Sequence, residues 1–134
     1  MLLLDASIWL AAKDADDPYF ESALGLIRDP RVPVSALDLT LYEAANVVGG
    51  RWRQPDAAKD LCRTIIARCQ DRLVPVGSGL IDLAIDAADE HGLTAYDAAY
   101  VAAAQSNGWT LVSTDVADLV SKGLAVPPDY PLDG

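Results

Sequence analysis

The chain has 134 residues, 51% of them hydrophobic, which suits one folded core and excludes a disordered tail. Its net charge of −10 argues against nucleic-acid binding only if evenly spread: residues 1–72 hold nine Lys/Arg and eleven Asp/Glu, whereas residues 73–134 hold one Lys and nine acids. No apolar run approaches the roughly 18 residues that span a bilayer, and no basic segment precedes the apolar start as in a secretory signal. The expectation is a cytoplasmic protein with no membrane segment.

In chain order, "LLLD" (2–5) is a short apolar run closed by an acid, the pattern of a buried parallel strand. Residues 18–28 place Tyr19, Phe20, Ala23, Leu24 and Ile27 on one helical stripe. "VPVS" (32–35) predicts a second strand, and a helix follows over 36–48, with Ser35 and Asp38 as a capping box. A helix over 56–70 precedes the strand "LVPV" (73–76). Helices over 79–91 and 95–106, divided by Gly92, lead to the strand "TLVST" (110–114). A short helix over 116–121 ends at Gly123, and "LAVP" (124–127) is a fifth strand candidate. Alternating strands and helices predict one α/β domain over 1–134, a parallel sheet of four to five strands covered on both faces. In such sheets ligands bind beyond the carboxyl ends of the strands.

Cys62 and Cys69 lie about 10 Å apart along a helix axis, beyond the about 7 Å that a disulfide tolerates between Cα atoms, so both read as buried packing residues. His91 is the only histidine and precedes Gly92 at a helix end, which excludes a His-based zinc site or nucleophile.

Four acids stand in the most apolar segments: Asp5, Glu43, Asp97 and Asp115. Asp5 and Asp115 close predicted strands, while Glu43 and Asp97 lie on predicted helices. Converging carboxylates repel one another unless a cation intervenes, and hard divalent ions prefer oxygen ligands. The chemistry implied is metal-assisted phosphoryl transfer. Capping is the plainer account of three of them: Asp5 before the helix near Ser7, Asp97 in a T-x-x-D box with Thr94, and Asp115 with Asp118 at the last helix. Glu43, between Leu41, Tyr42, Ala44 and Ala45, has no cap to make.

The segments "LLLDASIWL", "LYEAANVV", "LTAYDAAYVAAA" and "LVSTDVADL" together resemble the PIN-domain nucleases, most closely the VapC-type toxins of toxin–antitoxin pairs, over residues 2 to about 119. The resemblance implies a three-layer α/β/α sandwich and an Mg²⁺- or Mn²⁺-dependent endoribonuclease. It assigns Asp5, Glu43, Asp97 and Asp115 to the metal site, with Asp5 and Asp97 as principal ligands. Ser7, Asn46 and Thr114 are supporting polar residues, and Asp118 either joins the site or caps a helix. The reaction expected is in-line attack by a metal-bound water. The resemblance also implies a homodimer and a cognate VapB-type antitoxin. In the family's l-x-T-x-D strand end a residue separates Thr from Asp, whereas here Thr114 directly precedes Asp115.

For RNA contact the candidates are Arg51 and Arg53 on phosphates with Trp52 stacking between them, and, more weakly, Lys13. "YFESALGLI" is a candidate antitoxin surface. Competing readings are a catalytically silent PIN-like scaffold and a haloacid dehalogenase- or receiver-like phosphotransfer domain. The latter want a second aspartate where Ser7 stands, or a lysine from a late strand, where Lys122 is the only one available.

Overall fold

The computed structural model describes residues 1–131; residues 132–134 of the predicted domain lie outside the description. Four parallel strands, β1 (Leu2–Leu4), β2 (Val34–Leu37), β3 (Leu73–Val74) and β4 (Thr110–Val112), lie in the order β3-β2-β1-β4. Leu2 pairs with Val34 on one side and Thr110 on the other, and Ala36 pairs with Leu73. The predicted fifth strand is reduced to a single parallel bridge, Val126 to Val112.

Side chains of β1 alternate between two cores. Leu3 packs with Leu37, Leu111 and two helices, α5 (Ser78–His91) and α6 (Ala95–Asn107). Leu4 packs on the other face with α1 (Ala6–Ala11) through Ile8 and Trp9, α2 (Phe20–Arg28) through Ala23, α3 (Leu39–Ala44) through Ala44, and α4 (Pro55–Cys69) through Leu61 and Ile65. This is the expected three-layer α/β/α sandwich, and it explains why β1 is apolar on both faces. The run of alanines in α6 keeps helix propensity high while its backbone lies close to the sheet. Gly92 and Gly108, at φ 66° and 68°, end α5 and α6 in the left-handed region that glycine adopts without a steric penalty.

Several predicted boundaries move. Ser35 does not cap a helix: it lies within β2, fully buried, and its Oγ donates to the Arg72 carbonyl at 2.6 Å. Pairing with β3 carries the strand on to Leu37, so the helix begins only at Leu39. Asp38 instead accepts the Val76 N–H at 2.9 Å, which fastens the start of α3 to the chain after β3. The predicted helix over 36–48 also changes character, passing at Ala45 into a π-helical segment, Ala45–Arg51. Strand β3 stops before Pro75, whose ring removes a ladder donor. Both cysteines are free, as expected, with Cys69 buried.

Two of the basic residues counted toward a polyanion surface are used internally. Arg68 donates to the carbonyls of Ile27, Asp29 and Val32, and Arg72 to those of Val34 and Arg68. Together they tie α4 to the loop between α2 and β2. Replacing Arg68 with Met keeps the stem but strands three carbonyls, so urea denaturation should show a loss of about 2–3 kcal/mol. A change below about 0.5 kcal/mol, the range of ordinary surface substitutions, would show that this tie is dispensable.

Candidate metal centre

The strand order reverses between β1 and β4, since the chain passes from β1 outward to β2 and β3 and then returns to β1's other side. At such a switch point the connections leave in opposite directions and open a crevice at the carboxyl edge. Asp5 follows β1 directly, and Ser113, Thr114 and Asp115 follow β4. The two strand ends are joined there by the Asp5 N–H donating to the Val112 carbonyl at 3.2 Å.

Asp5 is the N-cap of α1, its Oδ1 accepting the Ser7 N–H at 3.0 Å and also the Ser7 hydroxyl. Capping does not account for its burial, at 6% exposure. The Ser7 Oγ accepts the Thr114 N–H at 3.0 Å and lies 3.4 Å from the Ser113 Oγ, which accepts the Asp115 N–H at 3.0 Å. Thr114 therefore enters through its backbone. The hydroxyl in this network belongs to Ser113, two residues before Asp115. With serine in place of threonine, "STD" (113–115) has the family's one-residue spacing between hydroxyl and acid.

Glu43 lies two residues before the π-helical segment begins, half-buried in a cleft of about 360 Å³ with Leu39, Tyr42, Asn46 and Tyr96. Its Oε1 accepts the Tyr100 hydroxyl at 2.6 Å. Asp97 stands in the first turn of α6, whose N-cap Thr94 accepts the Asp97 N–H at 3.2 Å. Only the backbone of Asp97 is used by this cap; among the described residues no hydrogen bond ends on its carboxylate. Asp115 is the N-cap of a π-helical turn, Val116–Val120, and accepts the Asp118 N–H at 3.0 Å. Asp118 is exposed.

The electrostatics tie these groups together. Burial raises Asp5 from its ordinary 3.8 to about 6, opposed by bonds from Ser113 and Ser7 and reinforced by the charges of Asp97 and Glu43. Burial raises Glu43, with Tyr100 opposing and Asp97 adding to it. Burial also raises Asp97, followed by the fields of Asp115 and Asp118. Tyr100, buried beside Glu43, is pushed well above the usual phenol range, first by burial. No lysine or arginine offsets the shift of any of these three carboxylates. As the side chains stand, no group of three or more His, Cys, Asp or Glu among the described residues is arranged to hold a metal ion.

The remaining candidates lie elsewhere. Arg51 and Arg53 are exposed, Arg53 at a left-handed φ of 56°, while Trp52 packs against the second core and is not free to stack on both faces. Lys13 is exposed just beyond α1. No salt bridge engages Arg51, Arg53 or Lys13 among the described residues. In the candidate antitoxin helix, Ala23 is buried, and Tyr19, Leu26 and Ile27 pack half-buried on the second core, the ordinary role of a covering helix. No helix among the described residues is long and apolar enough to cross a membrane. Tyr100 and Ser113 were missed from sequence; a lone hydroxyl in the alanine run of α6, one turn after Asp97, was the available signal for the first.

Residues 2–118 match the family model of the PIN domain, and the chain belongs to that family. No curated protein matches it in sequence. Among solved structures, it is similar to the PAE2754 protein of Pyrobaculum aerophilum at 27% identity and TM-score 0.70, covering 95% of this chain and 83% of that one. It is similar in fold to the sarcin-ricin loop cleaving toxin VapC20 of Mycobacterium tuberculosis at 22% identity and TM-score 0.72, covering 92% and 95%. A toxin–antitoxin complex chain from Klebsiella pneumoniae matches at 17% identity and TM-score 0.70, covering 96% and 98%.

The raised Asp5 carries a pH signature. Between pH 3.8 and about 6 the native state holds a proton on Asp5 that the unfolded chain has released, so this contribution to stability is complete at low pH and is lost as pH rises through about 6. The loss is on the order of 3 kcal/mol, and the raised Glu43 and Asp97 act in the same direction. In chelator, the Tm should rise between pH 7 and pH 5, and Asp5→Asn should flatten that rise. A Tm that falls steadily over the same interval in both proteins would contradict the assignment.

Proposed function

Taking membership of the PIN-domain family as the premise, we propose that this single-domain protein is a metal-dependent endoribonuclease, the toxin of a toxin–antitoxin pair in the cytoplasm. The observation that carries the reading is the uncompensated field shared by Asp5, Glu43 and Asp97, which extends through Asp97 to Asp115 and Asp118. The donor set is all carboxylate oxygen, which suits Mg²⁺ or Mn²⁺ and not a soft metal. Asp5 and Asp97 would be principal ligands, with Glu43 and Asp115 completing the site. A divalent ion held there supplies Lewis acidity, easing deprotonation of water and neutralising charge on the phosphate.

The protein's own groups do the positioning. Ser7 holds Asp5 in one orientation, and the Thr114 N–H and the nearby Ser113 hydroxyl hold Ser7. Asn46, three residues after Glu43, shares its cleft and offers an amide to substrate. Arg51, Arg53 and Lys13 supply phosphate contacts that place an RNA strand without reading its bases. The reaction is hydrolysis of a phosphodiester, with water attacking phosphorus in line and the opposite oxygen departing. Similarity to a chain solved in a toxin–antitoxin complex supports an antitoxin partner, of VapB type on this reading, and the reading includes a homodimer.

The open spacing of the acids favours one rival, a PIN-like scaffold that binds proteins but no metal. The two readings part on a simple measurement. Mn²⁺ should raise the Tm of the wild-type protein at pH 7, and Asp97→Asn or Asp5→Asn should lose that shift. The same variants should cleave RNA at least about 10²-fold more slowly, the scale set by several kcal/mol of lost charge stabilisation. A wild-type protein with no Mn²⁺ response and no cleavage would leave the scaffold standing.

A further inference from the structure

Helix α6 buries seven consecutive residues, Ala98 to Ala104, and one hydroxyl, that of Tyr100, at 1% exposure. A phenylalanine would fill the same space with nothing to satisfy, so the oxygen needs its own account. It has two partners. The Tyr100 Oη lies 2.7 Å from the Oγ1 of Thr40, which is fully buried, and 2.6 Å from the Glu43 Oε1. Donor directions follow from chemistry. A carboxylate only accepts, so the single phenol proton goes to Glu43, and Thr40 must then donate to Tyr100.

The relay therefore runs one way, from Thr40 to Tyr100 to Glu43. Thr40 and Glu43 are three residues apart on α3, adjacent on one helical face, and Tyr100 is three residues beyond Asp97 on α6. The phenol thus spans the two helices that carry two of the four acids. It commits one Glu43 oxygen and leaves Oε2 without a hydrogen bond among the described residues.

We propose that Tyr100, oriented by Thr40, is a positioning residue: it anchors Glu43 through Oε1, sets the spacing of Glu43 from Asp97, and reserves Oε2 for the cation. The inference rests on the metal-dependent reading above. If the hydroxyl only satisfied itself, Thr40 alone would suffice and the bond to Glu43 would be incidental.

The test is calorimetric titration of the metal-free full chain with Mn²⁺, alongside its Tm in chelator and its RNA cleavage across Mn²⁺ concentration. Tyr100→Phe should weaken Mn²⁺ binding about 10-fold or more, as loss of an outer-shell partner does. Cleavage should fall at limiting Mn²⁺ and recover in part at saturation. Thr40→Val should shift binding in the same direction by less, and Thr40→Ser, which keeps the donor, should restore it. Thr40→Val also serves if Tyr100→Phe does not fold. A lower Tm with unchanged Mn²⁺ affinity in these variants would make the relay structural only and overturn the inference, while the metal reading survives. A wild-type chain that binds no Mn²⁺ would overturn both.

Discussion

A carboxylate at the carboxyl edge of β1, nearly sealed from water, constrains everything around it. Asp5 cannot be ionised there cheaply, and its neighbours Glu43 and Asp97 add repulsion where an ion pair would relieve it. The fold opposes that cost locally with hydroxyls. Ser7 donates to Asp5, and the chain after β4 closes on Ser7 through the Thr114 N–H and the Ser113 hydroxyl. Such a site is stable enough to form but electrostatically incomplete.

The topology explains why the incompleteness falls where it does. A parallel sheet that reverses its winding leaves a crevice at one place, between β1 and β4, and two of the acids follow those strands directly. The other two arrive on helices from opposite layers, Glu43 from α3 and Asp97 from α6. At the sheet edge Tyr100 reaches from one of these layers to the other. The oxygen donors and the cleft beside Glu43 are what the proposed divalent ion and phosphate chain rest on. The acidic second half of the chain does not oppose this, because Lys13, Arg51 and Arg53, which no salt bridge engages among the described residues, all come from the first half.

At these residues a cap does not preclude the proposed ligand role. Asp5 and Asp115 do cap helical segments, and Thr94 caps α6 with the Asp97 N–H. A cap uses one carboxylate oxygen, or only a backbone N–H, and leaves the remaining oxygens uncommitted to the cap. Glu43, which caps nothing, was the residue from which the site was most readable.

What the order of residues determined by itself was whatever depends on near neighbours. Apolar runs ending in acids marked β1 and β4, helical stripes marked the covering layers, and four motifs in order pointed to the family. Tertiary structure decided what depends on distant partners. Strand β2 reached Leu37 because β3 lay beside it, against the helix start that Ser35 and Asp38 suggested. Arg68 and Arg72 turned inward because loop carbonyls needed donors. Trp52 turned to the core, and Ser113, not the Thr114 side chain, joined the site. In each case local pattern allowed more than one state, and burial selected the one that left fewest polar groups unpaired.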